Sequence, residues 1–150
     1  MQGYVAPSSF SWTLASLAAN SARESIMIDN SSVKYDDYMV SLWVGSAAAT
    51  IADENAMYIY FYASGDGTNF TGQATGTDAA ITLGTNPYFG PFVIPLTVGT
   101  NVQDVVIPSV AQMFGGIIPP RWGMILDNQC NGAFSGTEPN KFVRGVFVTT

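Results

Sequence analysis

Histidine is absent from the 150 residues. That removes the commonest general base near neutral pH, the base of Ser-His and Cys-His nucleophilic pairs, and a favoured metal ligand. Cysteine occurs once, at Cys130, which excludes an internal disulfide and a thiolate metal cluster. Charge is also scarce: 11% of residues are Asp, Glu, Lys or Arg, against roughly 25% in an ordinary soluble domain. Basic residues are limited to Arg23, Lys34, Arg121, Lys141 and Arg144, scattered along the chain. Phosphate backbones and anionic lipid surfaces are bound by clustered cations, so neither nucleic acid nor membrane is expected as a partner. No apolar run approaches the roughly 18–20 residues that cross a bilayer as a helix. Two carboxylate pairs, Asp36-Asp37 and Asp53-Glu54, are adjacent in sequence, which points neighbours on a strand to opposite faces and suits them poorly to shared acid-base work. The expectation is a protein without catalysis, metal or cofactor. With a net charge of −6 and little mixed charge to hold copies apart, it is also expected to bury surface against other subunits.

The most ordered-looking stretch is Ala56–Gly67, AMYIYFYASGDG. Its aromatic and β-branched residues suit a pleated, half-buried surface, and its glycines a tight turn. By alternation, Met57, Ile59 and Phe61 form a core face, while Tyr58, Tyr60 and Tyr62 line the other at about 7 Å spacing. Those rings either pack against a sheet or a neighbouring subunit, or stack on sugars.

Taken in order, the chain opens with 22 residues free of charged side chains. Pro7, several serines and the lack of a basic start argue against a secretory signal. Residues 1–22 read as an extended arm, with Tyr4, Phe10 and Trp12 as candidate contacts to a neighbour, and 23–150 as one domain. Strands are expected at Glu24–Ile28, Tyr35–Val44, Ala56–Ala63, Ala79–Leu83, Pro91–Val98, Val102–Ile107, Arg121–Asp127 and Lys141–Val148. A short helix is expected over Pro108–Phe114, capped by Ser109 and stopped by Gly115-Gly116. Short strands divided by Gly, Asn and Pro predict an all-β, antiparallel, jelly-roll-like sandwich. In Tyr35–Val44, Tyr38, Val40, Leu42 and Val44 oppose Met39 and Trp43; in Lys141–Val148, Phe142, Val146 and Val148 oppose Val143 and Phe147. Large residues on both faces imply that an outer face is covered.

Other motifs have plain readings. Asp66-Gly67-Thr68-Asn69 lacks the ligand spacing of a calcium loop and reads as a hairpin turn. Asn30-Ser31-Ser32 and Asn69-Phe70-Thr71 fit the glycosylation pattern. Pro119-Pro120-Arg121-Trp122-Gly123 reads as a fixed extended entry to a strand with a core tryptophan, the alternative being an exposed cation beside a large ring.

Several of these pieces together resemble small phage and prophage virion proteins: Asp29-Asn30, Tyr35-Asp36-Asp37, YFYASGDGTNFTG from Tyr60 to Gly72, Gly76-Thr77-Asp78-Ala79-Ala80, and FGGIIPPRWGMILDNQCNGAF from Phe114 to Phe134. The similarity runs in order over most of the chain from Ala22 onward. Such proteins more usually carry threonine where this chain has Cys130, so no role attaches to that thiol. The resemblance implies a non-enzymatic capsid decoration or cement protein, made in the host cytoplasm and placed on the outer surface of the head. It implies the major capsid protein as partner and a homo-oligomer, with a trimer favoured. A tail, neck or fibre-base component and a carbohydrate-binding β-sandwich remain alternatives. The candidate interface residues are Tyr4, Phe10, Trp12, Tyr58, Tyr60 and Tyr62.

Overall fold

A computed structural model describes residues 2–45, 56–85, 88–95 and 102–148. Among these, ten strands form: β1 (Gln2–Tyr4), β2 (Ser21–Glu24), β3 (Ile28–Asp29), β4 (Asp37–Gly45), β5 (Ala56–Ser64), β6 (Ala79–Ile81), β7 (Phe89–Pro95), β8 (Val102–Ile107), β9 (Arg121–Asn128) and β10 (Lys141–Val148). Every pairing is antiparallel. One sheet has the order β1-β10-β4-β8; the other runs β6-β2-β9-β5-β7, with β3 also on β9. Setting aside the short β3 and β6, the remaining strands read 1-10-4-8 and 2-9-5-7. First pairs with last and the chain passes repeatedly between sheets, which is jelly-roll topology.

The core lies where the apolar parities meet. Val40, Leu42 and Val44 of β4 face Met57, Ile59 and Phe61 of β5 and Trp122, Met124 and Leu126 of β9, all in one buried cluster. Trp122 sits edge-on to Tyr38 with centroids 5.1 Å apart, so the tryptophan of the Pro-Pro-Arg-Trp-Gly stretch is a core residue, as expected.

β6 stops at Ile81 short of the expected Leu83, β7 begins at Phe89 ahead of the expected Pro91, and the expected stretch 96–98 lies outside the described residues. Three elements differ more deeply from the sequence expectation. The strand expected over Glu24–Ile28 splits into β2 and β3. Ser25 still pairs with Met124 through its amide (2.8 Å) and its hydroxyl (3.1 Å). Ile26 and Met27 then send their amides to Ser11 and Gly76 instead. The expected helix is only one 3-10 turn, Ala111–Phe114. Asp37 Oδ1 takes the Ala111 amide at 2.8 Å, and Gly115, at φ 79°, stops the turn.

The third difference concerns the N-terminal segment, which is extended but not free. β1 pairs with β10, Ser8 bridges to Val143, and Trp12 and Leu14 are buried in the main core. Two carboxylates from distant loops hold it down. Asp78 Oδ2 accepts from the Thr13 amide (2.9 Å) and hydroxyl (2.6 Å), while Glu138 accepts from the amides of Leu14 and Ala15. A boundary at Ala22 therefore separates no independent unit, because the segment supplies both a strand and core residues.

Candidate functional site

The two outer faces of the sandwich are treated differently by the chain. On the six-stranded sheet, Tyr62, Ile125 and Ala22 project outward beneath a second apolar cluster built from Phe70, Ala74, Leu83 and Tyr88. The excursions between β5, β6 and β7 thus cover part of this face. Tyr62 is wholly buried, its hydroxyl donating to the Ser25 carbonyl at 2.7 Å. Its ring crosses Gly123 so closely that a Cβ there would lie 2.2 Å from it. Burial pushes the Tyr62 phenol well above its usual value, with the nearby Glu24 charge adding and the Ser25 bond opposing.

The tyrosine stripe consequently has two fates. Tyr62 belongs to the interior. Tyr60 is half-buried between Tyr88 (6.2 Å) and Tyr58 (6.5 Å), and Tyr58 stands nearest the uncovered end. Trp12 is likewise interior, 1% exposed, with its indole N–H donating to the Arg23 carbonyl. These two are corrected as interface candidates: their rings are spent on the chain's own core. Phe10 is half-buried against Trp12, and Tyr4 is 55% exposed.

The four-stranded sheet presents its outer face openly. Phe142 of β10, Ser41 of β4 and Val106 of β8 are direct cross-strand neighbours and so share one face. Trp43, two residues along β4, is 52% exposed, Val106 46% and Phe142 40%. Small Ser41 between two apolar neighbours leaves a shallow seat. Asp104 pairs with Trp43 and Arg144 with Met39, placing one charge of each sign beside the apolar row. Tyr4 lies one strand further out, opposite Val146, which is buried, so the open row does not continue to that edge.

Where the covering loops end, the six-stranded sheet has a cavity of about 470 Å³. A cross-strand row runs Ile81, Ala22, Asp127, Tyr58, Val93. Alanine in that row leaves a gap between Ile81 and Asp127, and both flank the cavity. Asp127 is 7% exposed; Gln129 donates to its Oδ1 at 2.8 Å. No Lys or Arg pairs with it among the described residues. Burial raises its pKa despite the Gln129 bond, and burial followed by the Asp127 charge raises that of Tyr60.

Because the folded pKa of Asp127 lies above the ordinary 3.8, the ionised form destabilises the fold at neutral pH. Asp127→Asn is expected to raise the midpoint of urea unfolding at pH 7. The gain should shrink as pH falls through the raised pKa and vanish below 3.8, where Asp127 is protonated folded and unfolded alike. Urea titrations of both proteins from pH 3 to 8 test this.

The remaining motifs serve structure. Asp66 accepts from the amides of Thr68 and Asn69, each at 2.8 Å, and these bonds hold its carboxyl far below the usual range. The turn is closed on itself. Asn30 spends its amide on Tyr35 and the Tyr38 hydroxyl, which leaves its side chain no freedom to carry a glycan. Asn69 is exposed and bonds Asp66. Burial pushes the Cys130 thiol to about 11, so it is not a ready nucleophile. Asp37 caps the 3-10 turn, and Asp53-Glu54 lies outside the described residues. No group of three His, Cys, Asp or Glu side chains gathers to hold a metal among the described residues.

Sequence reasoning placed the paired faces but missed the Phe142–Ser41–Val106 row, since strand register across three distant segments cannot be read from one strand's alternation. It also gave Asp127 no role. The signal available was a lone acid at an outward parity in an otherwise apolar strand. Comparisons of the chain with protein-family models, with curated proteins and with solved structures find no match.

Proposed function

We propose that this chain is a non-enzymatic structural subunit of a phage virion, most naturally a capsid decoration protein that associates with itself, as a trimer, and docks on the major capsid protein. The observation that carries this reading is the open face of the four-stranded sheet, where Trp43, Phe142 and Val106 stand exposed around Ser41. In a chain with so few charges, an apolar face of this kind is stabilised when another protein covers it. Asp104 and Arg144 at its margin add registration, since charges at a rim orient more than they strengthen. The jelly roll supports the reading as an analogy of architecture only, being a fold that viral shell proteins use among others. Binding only the assembled shell would stabilise that shell by mass action.

The test is a paired substitution, Trp43→Ser with Phe142→Ser, followed by light scattering and by sedimentation with capsids. The unaltered protein is expected near three times 15.9 kDa and to sediment with capsids. The double variant is expected to keep its circular dichroism and to lose both properties. If it associates and sediments unchanged, this face is not the docking surface. If the unaltered protein stays off capsids but decorates tails, electron microscopy of particles would move it to the neck or fibre base.

A further inference from the structure

We infer that the cavity beside Asp127, on the sheet opposite the docking face, is a binding site for a neutral saccharide. Its volume of about 470 Å³ falls within the range of small-ligand sites, about 300–1,000 Å³. The lining combines apolar Ala22, Ile81 and Leu83 with Asn20, Asp127 and Gln129. A sugar ring has the matching duality, a C–H face and a rim of hydroxyls.

Asp127 is the one acid among the described residues that line the cavity. One oxygen takes the Gln129 amide; the other accepts no hydrogen bond from the described residues. Trp122 Nε1 is the one sealed side-chain polar atom without a partner among the described residues, so the free Asp127 oxygen still reaches the cavity, where a ligand hydroxyl can take the place of water. Gln129 is held by the same bond, which points its carbonyl oxygen and remaining N–H elsewhere for a ligand to use. A free metal ion would call for several carboxylates, and one is present. Tyr58, the next residue in the row, lies two strand spacings from Ala22, about 10 Å. A saccharide longer than one ring, seated in the cavity, would pass over Asp127 onto the Tyr58–Tyr60 pair, whose rings stack at 29°. The cavity lies on the six-stranded sheet, apart from the Trp43–Phe142–Val106 face of the four-stranded sheet.

The experiment is a titration of the isotopically labelled full chain with maltose, N,N′-diacetylchitobiose, lactose and, as a cationic control, 1,4-diaminobutane, followed by amide chemical shifts. At least one saccharide is expected to shift Ala22, Ile81, Asp127 and Gln129 with millimolar affinity. Asp127→Asn should weaken that saccharide about tenfold or more, the usual worth of a hydrogen bond to a charged group. Tyr58→Ala should weaken the same disaccharide, whose second ring would lie over Tyr58, while the fold persists. Absence of shifts with all three saccharides overturns the proposal. So does a response to the diamine alone, or equal affinity in Asp127→Asn. The docking variant Trp43→Ser with Phe142→Ser should bind saccharide normally, which keeps the two readings separable.

Discussion

Trp12→Ala is expected to lower the stability of the chain by about 3–5 kcal/mol, the range for deleting a large buried aromatic. The side chain is 1% exposed and packs in the main cluster beside Phe10, with ring centroids 6.0 Å apart. Its loss would also leave the Arg23 carbonyl without the indole donor now at 3.0 Å. If the first 22 residues were an arm lying in solvent, the same change would cost within about 0.5 kcal/mol. Urea unfolding followed by the remaining tryptophans distinguishes these outcomes. Trp12→Phe refines the result: most of the packing survives and about 1 kcal/mol is lost with the hydrogen bond. Shortening the N-terminus beyond Phe10 is therefore expected to destabilise the fold itself, because it removes buried Trp12 and Leu14.

Asn128→Ala is expected to be comparably damaging, though no large apolar group is removed. Asn128 is fully buried at the end of β9. Its amide donates to the carbonyls of Leu17, Ala18 and Gly132, each at 3.1 Å, and its oxygen accepts from the Cys130 amide. One side chain thus ties the N-terminal segment, β9 and the following turn together. Alanine strands several buried polar groups, each at about 1–3 kcal/mol if nothing else satisfies it. A total loss of at least about 3 kcal/mol follows. Asn128→Asp should be no better, because it keeps the shape but offers acceptors to carbonyls. Chemical denaturation gives the magnitude, and faster hydrogen exchange at the Cys130 amide would locate it.

The architecture was legible because alternation is a local signal. Val102–Ile107 and Lys141–Val148 were expected with the bounds they have, and β4, β5 and β9 within one or two residues. What escaped was non-local. Nothing about Thr13, Leu14 or Ala15 announces that Asp78 and Glu138 will hold their amides. An uncharged, serine-rich segment looks like solvent-facing chain until its partners arrive from 65 and 124 positions away. Tyr62 carried the same ambiguity: alternation put it with Tyr58 and Tyr60, but only the return of Phe70 across the sheet encloses it. The expectation of a covered outer face is met only in part: the chain's own loops cover Tyr62 on the six-stranded side, while on β4 and β10, the strands from which it was argued, Trp43 and Phe142 stand exposed. On the four-stranded side the exposed row needs three registers at once, and the Asp127 cavity depends on an alanine two strands from a tyrosine.

The pairing of β1 with β10 has a consequence in time. β4 lies between β8 and β10, so both of its neighbours, like the partner of β1, are made after it. At roughly 5–20 residues per second, a ribosome leaves β1 waiting about 7–30 s for its partner. β4, made later than β1, offers unpaired backbone for the shorter wait until β8 and then β10 emerge, in a nascent chain with little charge to keep others away. The four-stranded sheet, and with it the apolar row, comes into being only as the last strand emerges. The sheet is therefore expected to form only after β10 has emerged, and crowding of nascent chains on one message before that point to be the step at which yield is lost.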